Sequence, residues 1–281
     1  VKLAEFKDLD QQTPWVLPVE HLSASSLGML QRCPEQFRQR YILGRKMRPG
    51  VGLVLGSACH TTTGHNFAQK VTSGVDVPVT EMEQFFSDQA WPAAVSDNGG
   101  VDEILWKERS ADQTRAVGEG MISLYHGQVS PRIQPEAIET KFSIALPLVP
   151  VPVIGYVDLL VKDGPVVDLK TSSKRVKSVQ GKWETQNRLY KLFTGRAADW
   201  HILASTKTPS VTTPLEEPAL RSEHSSDQDV ETIRNVQRLA WLANALLTKF
   251  GPDDPWPTTG VFNEHCGWCG FRPVCTAWKG G

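Results

Sequence analysis

No apolar run in this 281-residue chain approaches the roughly 20 residues that a membrane-spanning helix needs. The opening residues lack the basic, apolar and small-residue succession of a secretory leader. Nor does the chain hold the G-x-x-x-x-G-K-[ST] loop that cradles nucleotide phosphates, so it carries no P-loop motor of its own, and coupling to a helicase would need a partner. Net charge is almost absent: 30 Lys and Arg oppose 31 Asp and Glu, which gives no overall electrostatic pull toward nucleic acid. Yet 40% of the residues are hydrophobic and 22% charged, a balance that excludes a disordered chain. Five cysteines are an odd count and fit a secreted disulfide framework poorly; a reducing, cytoplasmic setting is expected. There is no internal repeat and no low-complexity segment.

What charge there is lies unevenly. Arg32, Arg38, Arg40, Arg45, Lys46 and Arg48 face a single acid, Glu35, between positions 32 and 48. Lys170, Lys174, Arg175, Lys177, Lys182 and Arg188 face only Glu184 between 170 and 188. The acids gather around 76–119 and 216–231. Two basic runs on a neutral chain read either as solvated helix faces or as a face for a polyanion. Arg38, Arg45, Lys174, Arg175 and Lys177 are the candidates for contact with DNA.

Local patterns give the elements. Ser23–Leu43 reads as two short helices broken at Cys33-Pro34, because proline disfavours helical geometry in the residue before it and suits the first helical position itself. Cys33 then falls near a helix N-cap, where the dipole favours a thiolate. Gly52–Val71 reads as a helix with Leu53, Gly56, His60, Gly64, Phe67 and Val71 on one face. Glycine in a helix interior costs about 1 kcal/mol, so Gly56 and Gly64 call for a packing reason. Ile138–Leu146 alternates as a strand, with Ile138, Thr140, Phe142, Ile144 and Leu146 on one side. Val151–Val161 and Val166–Lys170 are the next strands. Lys182–Phe193 reads as an amphipathic helix and Asp229–Phe250 as a long one ended by Gly251. Residues 79–127 look helical.

The two short strands carry the chemistry. Lys162-Asp163-Gly164 suits a three-residue hairpin loop with Gly164 left-handed. Pairing Val161 with Pro165 sets Asp158 across from Asp168, Cα atoms about 5 Å apart, and puts Lys170 on the face of Asp168. Carboxylates that close raise each other's pKa unless a cation lies between them. Hard oxygen ligands suit magnesium or manganese, and such an ion lowers the pKa of bound water and neutralises a phosphoryl oxygen. His60 is a candidate imidazole ligand, and Lys170 is placed to stabilise developing negative charge. The plainer reading is a surface Asp–Lys pair. Leu159-Leu160 and Val166-Val167 argue instead for a largely buried sheet, where unpaired charge is costly. Gln186 and Tyr190, at i and i+4, share a face of the helix that follows.

Cys266, Cys269 and Cys275 form a tight group in CGWCGFRPVC, with Cys33 far upstream. This spacing is neither a ferredoxin pattern nor a zinc ribbon of two close pairs. Four thiolates leave open an iron–sulfur cluster or a zinc ion. His265 is badly placed to join the same tetrahedron, Trp268 is expected to shield the cluster from water, and Cys59 reads as a buried free thiol.

Taken in order, SASSLGMLQRCPEQFRQRYILG, LGSACH, IETKF, GYVD, VVDLK, QNRLY and CGWCGFRPVC resemble the PD-(D/E)XK nuclease superfamily. The likeness is to its RecB-like, AddB-like branch with an iron–sulfur cluster, which includes CRISPR-associated iron–sulfur exonucleases and stand-alone phage nucleases. It runs from about residue 23 to 278, although 72–136 and 195–255 match little of it. The resemblance implies that His60, Asp158, Asp168 and the backbone carbonyl of Leu169 bind Mg2+ or Mn2+ and that Lys170 is the catalytic lysine. Gln186 and Tyr190 would arrange the site. Cys33, Cys266, Cys269 and Cys275 would hold a 4Fe-4S cluster. It gives Glu139, on a neighbouring strand, no defined role. Asp168 stands where glutamate is frequent in the wider superfamily.

The expected fold is therefore α/β: a restriction-endonuclease-like core with a mixed central sheet flanked by helices and chain ends stapled by a metal cluster. The expected organisation is an N-terminal arm over 1–22 and a single nuclease domain over 23–281, with cluster-binding segments at 33 and 266–275. The expected activity is metal-dependent hydrolysis of DNA, with a single-stranded DNA exonuclease of recombination, repair or phage DNA processing favoured. A non-catalytic DNA-binding or assembly subunit that retains the fold is the alternative.

Overall fold

The computed structural model describes residues 14–259, 266–267 and 269–278. Residues 1–13 of the expected arm, His265 and Trp268 with its shielding role lie outside the described residues. The chain opens with helix α1 (Ala24–Arg32), started by a capping box in which Ser23 and Ser26 each accept the other's backbone N–H. The break falls at Cys33, which is extended, and Pro34 begins α2 (Pro34–Phe37). This helix widens into a single π-turn over Arg38–Ile42. Helices α3 (Val51–Ser73), α4 (Val79–Phe85), α5 (Trp91–Asp97) and α6 (Ala111–Gln128) follow. Strands β1 (Pro135–Ile144), β2 (Val153–Val161) and β3 (Val166–Ser172) come next, then α7 (Glu184–Thr194). Strands β4 (Ala198–Ala204), β5 (Ser210–Thr212) and β6 (Arg221–Ser222) precede α8 (Ser226–Phe250).

The sheet runs β1-β2-β3-β4-β5, with β6 also on β4. Among the named strands of the described residues only β3 and β4 pair in parallel, and α7 is the crossover between them, as a parallel pair requires. Helices cover both faces. One core joins α1, α7 and α8 to residues such as Phe142, Val153, Val157 and Val166. The other joins α3 to α6 to Leu159, Val167, Leu169 and Leu203. The result is a mixed α/β fold with a helix-flanked central sheet, consistent with a restriction-endonuclease-like core.

Three local expectations need correction. Ile138 and Phe142 do not serve one face: Ile138 packs with the α3–α6 core and Phe142 with the α1–α7–α8 core. Glu139 between them has a φ of 43°, and a left-handed residue inside a strand reverses the alternation that follows it. In the hairpin loop the left-handed residue is Asp163 (φ 53°), not Gly164; aspartate tolerates that conformation better than most side chains. On α3, Leu53 and Val71 are exposed, and Val54, Leu55, Ala58 and Cys59 line the core instead.

Of Gly56 and Gly64 on α3, only Gly56 meets the sheet so closely that a side chain would crowd it. A Cβ on Gly56 would lie 3.0 Å from Thr171 Oγ1 of β3, and one on Gly64 would lie 3.7 Å from Glu139 Oε1 of β1. Gly56 lets α3 lie close against β3 one turn before His60, while a side chain at Gly64 would make only an ordinary contact.

Candidate active site

The hairpin register follows the turn. Val161 N–H donates to the Pro165 carbonyl (3.2 Å), and Leu159 pairs with Val167 and Leu160 with Val166. The β2–β3 ladder then stops, so the strands part at Asp158 and Asp168. Divergence at that point leaves both carboxylates beside a gap in the sheet. Asp158 Oδ2 accepts the Leu169 N–H (3.0 Å) and lies 3.3 Å from His60 Nδ1. His60, Gly64, Glu139, Asp158 and Leu169 share the lining of one small pocket between α3 and the sheet with Tyr125 and Phe67.

Asp168 and Lys170 lie on the α7 side. Asp168 is fully buried. Its Oδ1 accepts from Gln186 Nε2 (2.9 Å) and from the Tyr190 hydroxyl (2.7 Å), and Gln186 Nε2 also donates to that hydroxyl. Lys170 Nζ lies 2.6 Å from Oδ2, yet Oδ2 accepts no directed hydrogen bond. The Lys170 ammonium also lies over the Trp200 ring, 5.1 Å from its centroid, and Trp200 stacks on Trp183.

Asp158 connects the two halves. Burial, then the charge of Asp168, lifts its carboxyl to about 6, against the pull of His60, Lys170 and the Leu169 N–H. Burial and the same two carboxylates push the Tyr190 phenol well above its ordinary range, so it stays a donor. A buried carboxylate oxygen met only by one ammonium, beside a second carboxylate whose ionisation is disfavoured, is an arrangement that a divalent cation would relieve. Hard carboxylate donors with one imidazole fit magnesium or manganese. As positioned, no three His, Cys, Asp or Glu side chains among the described residues close on a single ion.

The basic candidates divide. Arg38 is buried, donates to both Glu35 oxygens (2.8 and 2.7 Å) and to the Pro252 carbonyl (2.7 Å), and so offers no guanidinium to a phosphate. That expectation is corrected. Arg45, Lys174, Arg175 and Lys177 are exposed. Lys182, which the sequence placed only within a basic run, has its ammonium pKa lowered by burial and then by Lys170, Lys174 and Arg32. Positive charge therefore gathers beside Lys170.

Cys33, Cys266, Cys269 and Cys275 line one pocket where α1 and α2 meet the C-terminal turns. Burial raises the Cys269 thiol, and the charges of Cys33, Cys275 and Cys266 raise it further, so each of the other three lies within electrostatic reach of Cys269. Cys59 is apart from them, fully buried, its thiol pushed up to about 12 by burial. Strand β4 escaped sequence reading, and with it Trp200 under Lys170. Its one signal was the apolar run in ADWHILA after Gly195, which lacked the alternation that marks a half-exposed strand.

No curated protein matches the chain. Among solved structures it is similar to a candidate exonuclease from Eubacterium rectale, at 13% identity over 80% of this chain and 82% of that one, TM-score 0.49. It is also similar to SSO0001, at 12% identity over 87% and 94%, TM-score 0.36. Both scores lie below 0.5, so neither likeness fixes the fold. The sequence profile of the PD-(D/E)XK nuclease superfamily matches residues 21–276, a span that takes in both carboxylates, the lysine and all five cysteines. The chain belongs to the PD-(D/E)XK nuclease superfamily.

Proposed function

We propose that this protein hydrolyses DNA phosphodiesters with Mg2+ or Mn2+, as an exonuclease on single strands, within the RecB-like branch of its superfamily. The observation that carries the reading is Asp168: a sealed carboxylate with one oxygen saturated by Gln186 and Tyr190 and the other left to Lys170 alone. Asp158, Asp168, His60 and the Leu169 carbonyl would hold the ion. When bound, that ion supplies charge neutralisation at the phosphoryl oxygen and acidifies water. The chain's own residues do the rest. Gln186 and Tyr190 fix the plane of the Asp168 carboxylate. Asp168 in turn restrains Lys170, whose ammonium is then aimed where negative charge grows as water attacks phosphorus. The exposed cations around Lys174 and Lys182 supply sequence-independent attraction for the backbone.

In the same reading the protein is one nuclease domain over 23–281, following an arm over 1–22. Cys33, Cys266, Cys269 and Cys275 hold a 4Fe-4S cluster with a structural role. Four sulfurs around one pocket, drawn from both ends of the chain, support it.

Digestion of end-labelled linear and circular strands with Mn2+, by wild type, Asp168→Ala and Lys170→Ala proteins, tests the activity. Loss in both variants and sparing of circles are expected. Equal residual cleavage in all three would reject the assignment. Iron and sulfide analysis of anaerobically purified protein tests the cluster against zinc.

A further inference from the structure

Resting on the nuclease reading above, we propose that Tyr156 and Lys141 form a binding subsite for the nucleotide next to the scissile phosphate. Tyr156 stacks on an unpaired base and Lys141 meets the adjoining phosphate.

The placement comes from the β1–β2 ladder. Lys141 is the direct cross-strand partner of Tyr156. Two residues along, on the same face, the strands carry Glu139 and Asp158, which line the catalytic pocket. The other face is occupied: Phe142 packs so tightly across Gly155 that a Cβ there would lie 2.4 Å from its ring. Val157 is buried in the same core. Tyr156 therefore points away from that core, and 56% of it is exposed. Lys141 is exposed as well, and neither side chain has an ion pair or ring contact among the described residues.

Single exposed aromatics are common on protein surfaces; position distinguishes this one. The Tyr190 hydroxyl lies 3.1 Å from the Tyr156 carbonyl and 2.7 Å from Asp168 Oδ1. The strand that bears the exposed ring is thereby fixed relative to the catalytic carboxylate. A strand of nucleic acid with its phosphate at Asp158 and Asp168 would carry its neighbouring base over Tyr156. In a duplex both faces of a base are already stacked, so the ring can engage only an unpaired one. Stacking of this kind tolerates any base, as suits an enzyme that degrades without reading sequence.

The test is binding of the full chain in EDTA, where no cleavage occurs, to a labelled single-stranded oligothymidylate, an abasic strand of equal length, and a duplex. Tyr156→Ala is expected to weaken oligothymidylate binding about 5- to 150-fold, Tyr156→Phe to restore it, and neither to change abasic-strand binding. Lys141→Gln is expected to reduce the salt slope on single strands by about 0.7. Unchanged oligothymidylate binding by Tyr156→Ala, or an equal loss on the abasic strand, overturns the subsite while wild-type cleavage still upholds the nuclease. A wild-type protein that neither binds nor cuts any strand overturns both.

Discussion

Glu35 and Asp168 are both carboxylates shut away from water beside one cation, at 2% and 0% exposure, but their surroundings differ. Glu35 is saturated. Arg38 grips it with two nitrogens, Gln39 donates to Oε1 (2.6 Å) and the Trp256 N–H to Oε2 (2.7 Å). Burial alone would raise its carboxyl, and these donors together hold it below the ordinary range. Asp168 keeps one oxygen met by the Lys170 ammonium alone. A saturated buried pair has nothing left to bind and serves the fold; an unsaturated one costs stability and is kept where a ligand completes it. Glu35 also joins the N-terminal helices to the approach of the C-terminal segment without any cluster.

If that contrast holds, the two carboxylates should fail in different assays. Asp168→Ala and Lys170→Ala should each lower cleavage by about a thousandfold, since several kcal/mol of transition-state stabilisation are lost, with the melting temperature lowered less than by the loss of Glu35. Steady-state rates and calorimetry on the same preparations check this. Glu35→Ala should do the reverse, because it strands Arg38. A loss of about 3–5 kcal/mol in denaturant unfolding is expected, with cleavage per folded molecule retained in the cold. A Glu35 variant that folds normally and cannot cut would erase the distinction.

Cys269→Ser probes the tie between the chain ends. Iron and sulfide should disappear and the melting temperature should fall, but by less than in Glu35→Ala, since the Glu35 network still ties the termini. Equal metal content in variant and wild type would remove Cys269 from the cluster.

The smallest effect concerns β4. Burial lowers His201 to about 4, so the fold holds it neutral against Tyr125, with its Nδ1 2.9 Å from the hydroxyl. The unfolded chain binds that proton near pH 6.5. The resulting stability is present above that pH and is lost as pH falls toward 4. His201→Gln, which does not titrate, should flatten the acid limb of stability against pH from 6.5 to 4. An unchanged limb would mean that other groups govern it.

Much of the site was legible because it is local. The hairpin loop fixed the pairing of Leu159 with Val167, and strand parity put Lys170 beside Asp168. Helical spacing gave Gln186 and Tyr190 a common face, and both reach Asp168. What escaped is set by tertiary context. Arg38 looked like a surface cation because nothing nearby in sequence announces Trp256 or the Pro252 carbonyl. Glu139 looked like an ordinary strand residue because a left-handed φ leaves no mark on alternation until both cores are seen. Strand β4 is buried throughout, so it reads as a plain apolar run.

Everything proposed for the site requires that the gap between Asp158 and Asp168 accept a divalent cation. A crystal of the intact protein grown with Mn2+ tests it by anomalous scattering. A peak in contact with Asp158, Asp168 and His60, absent from Asp168→Ala, is expected. A wild-type crystal with no peak there, or with manganese bound only elsewhere, would contradict it.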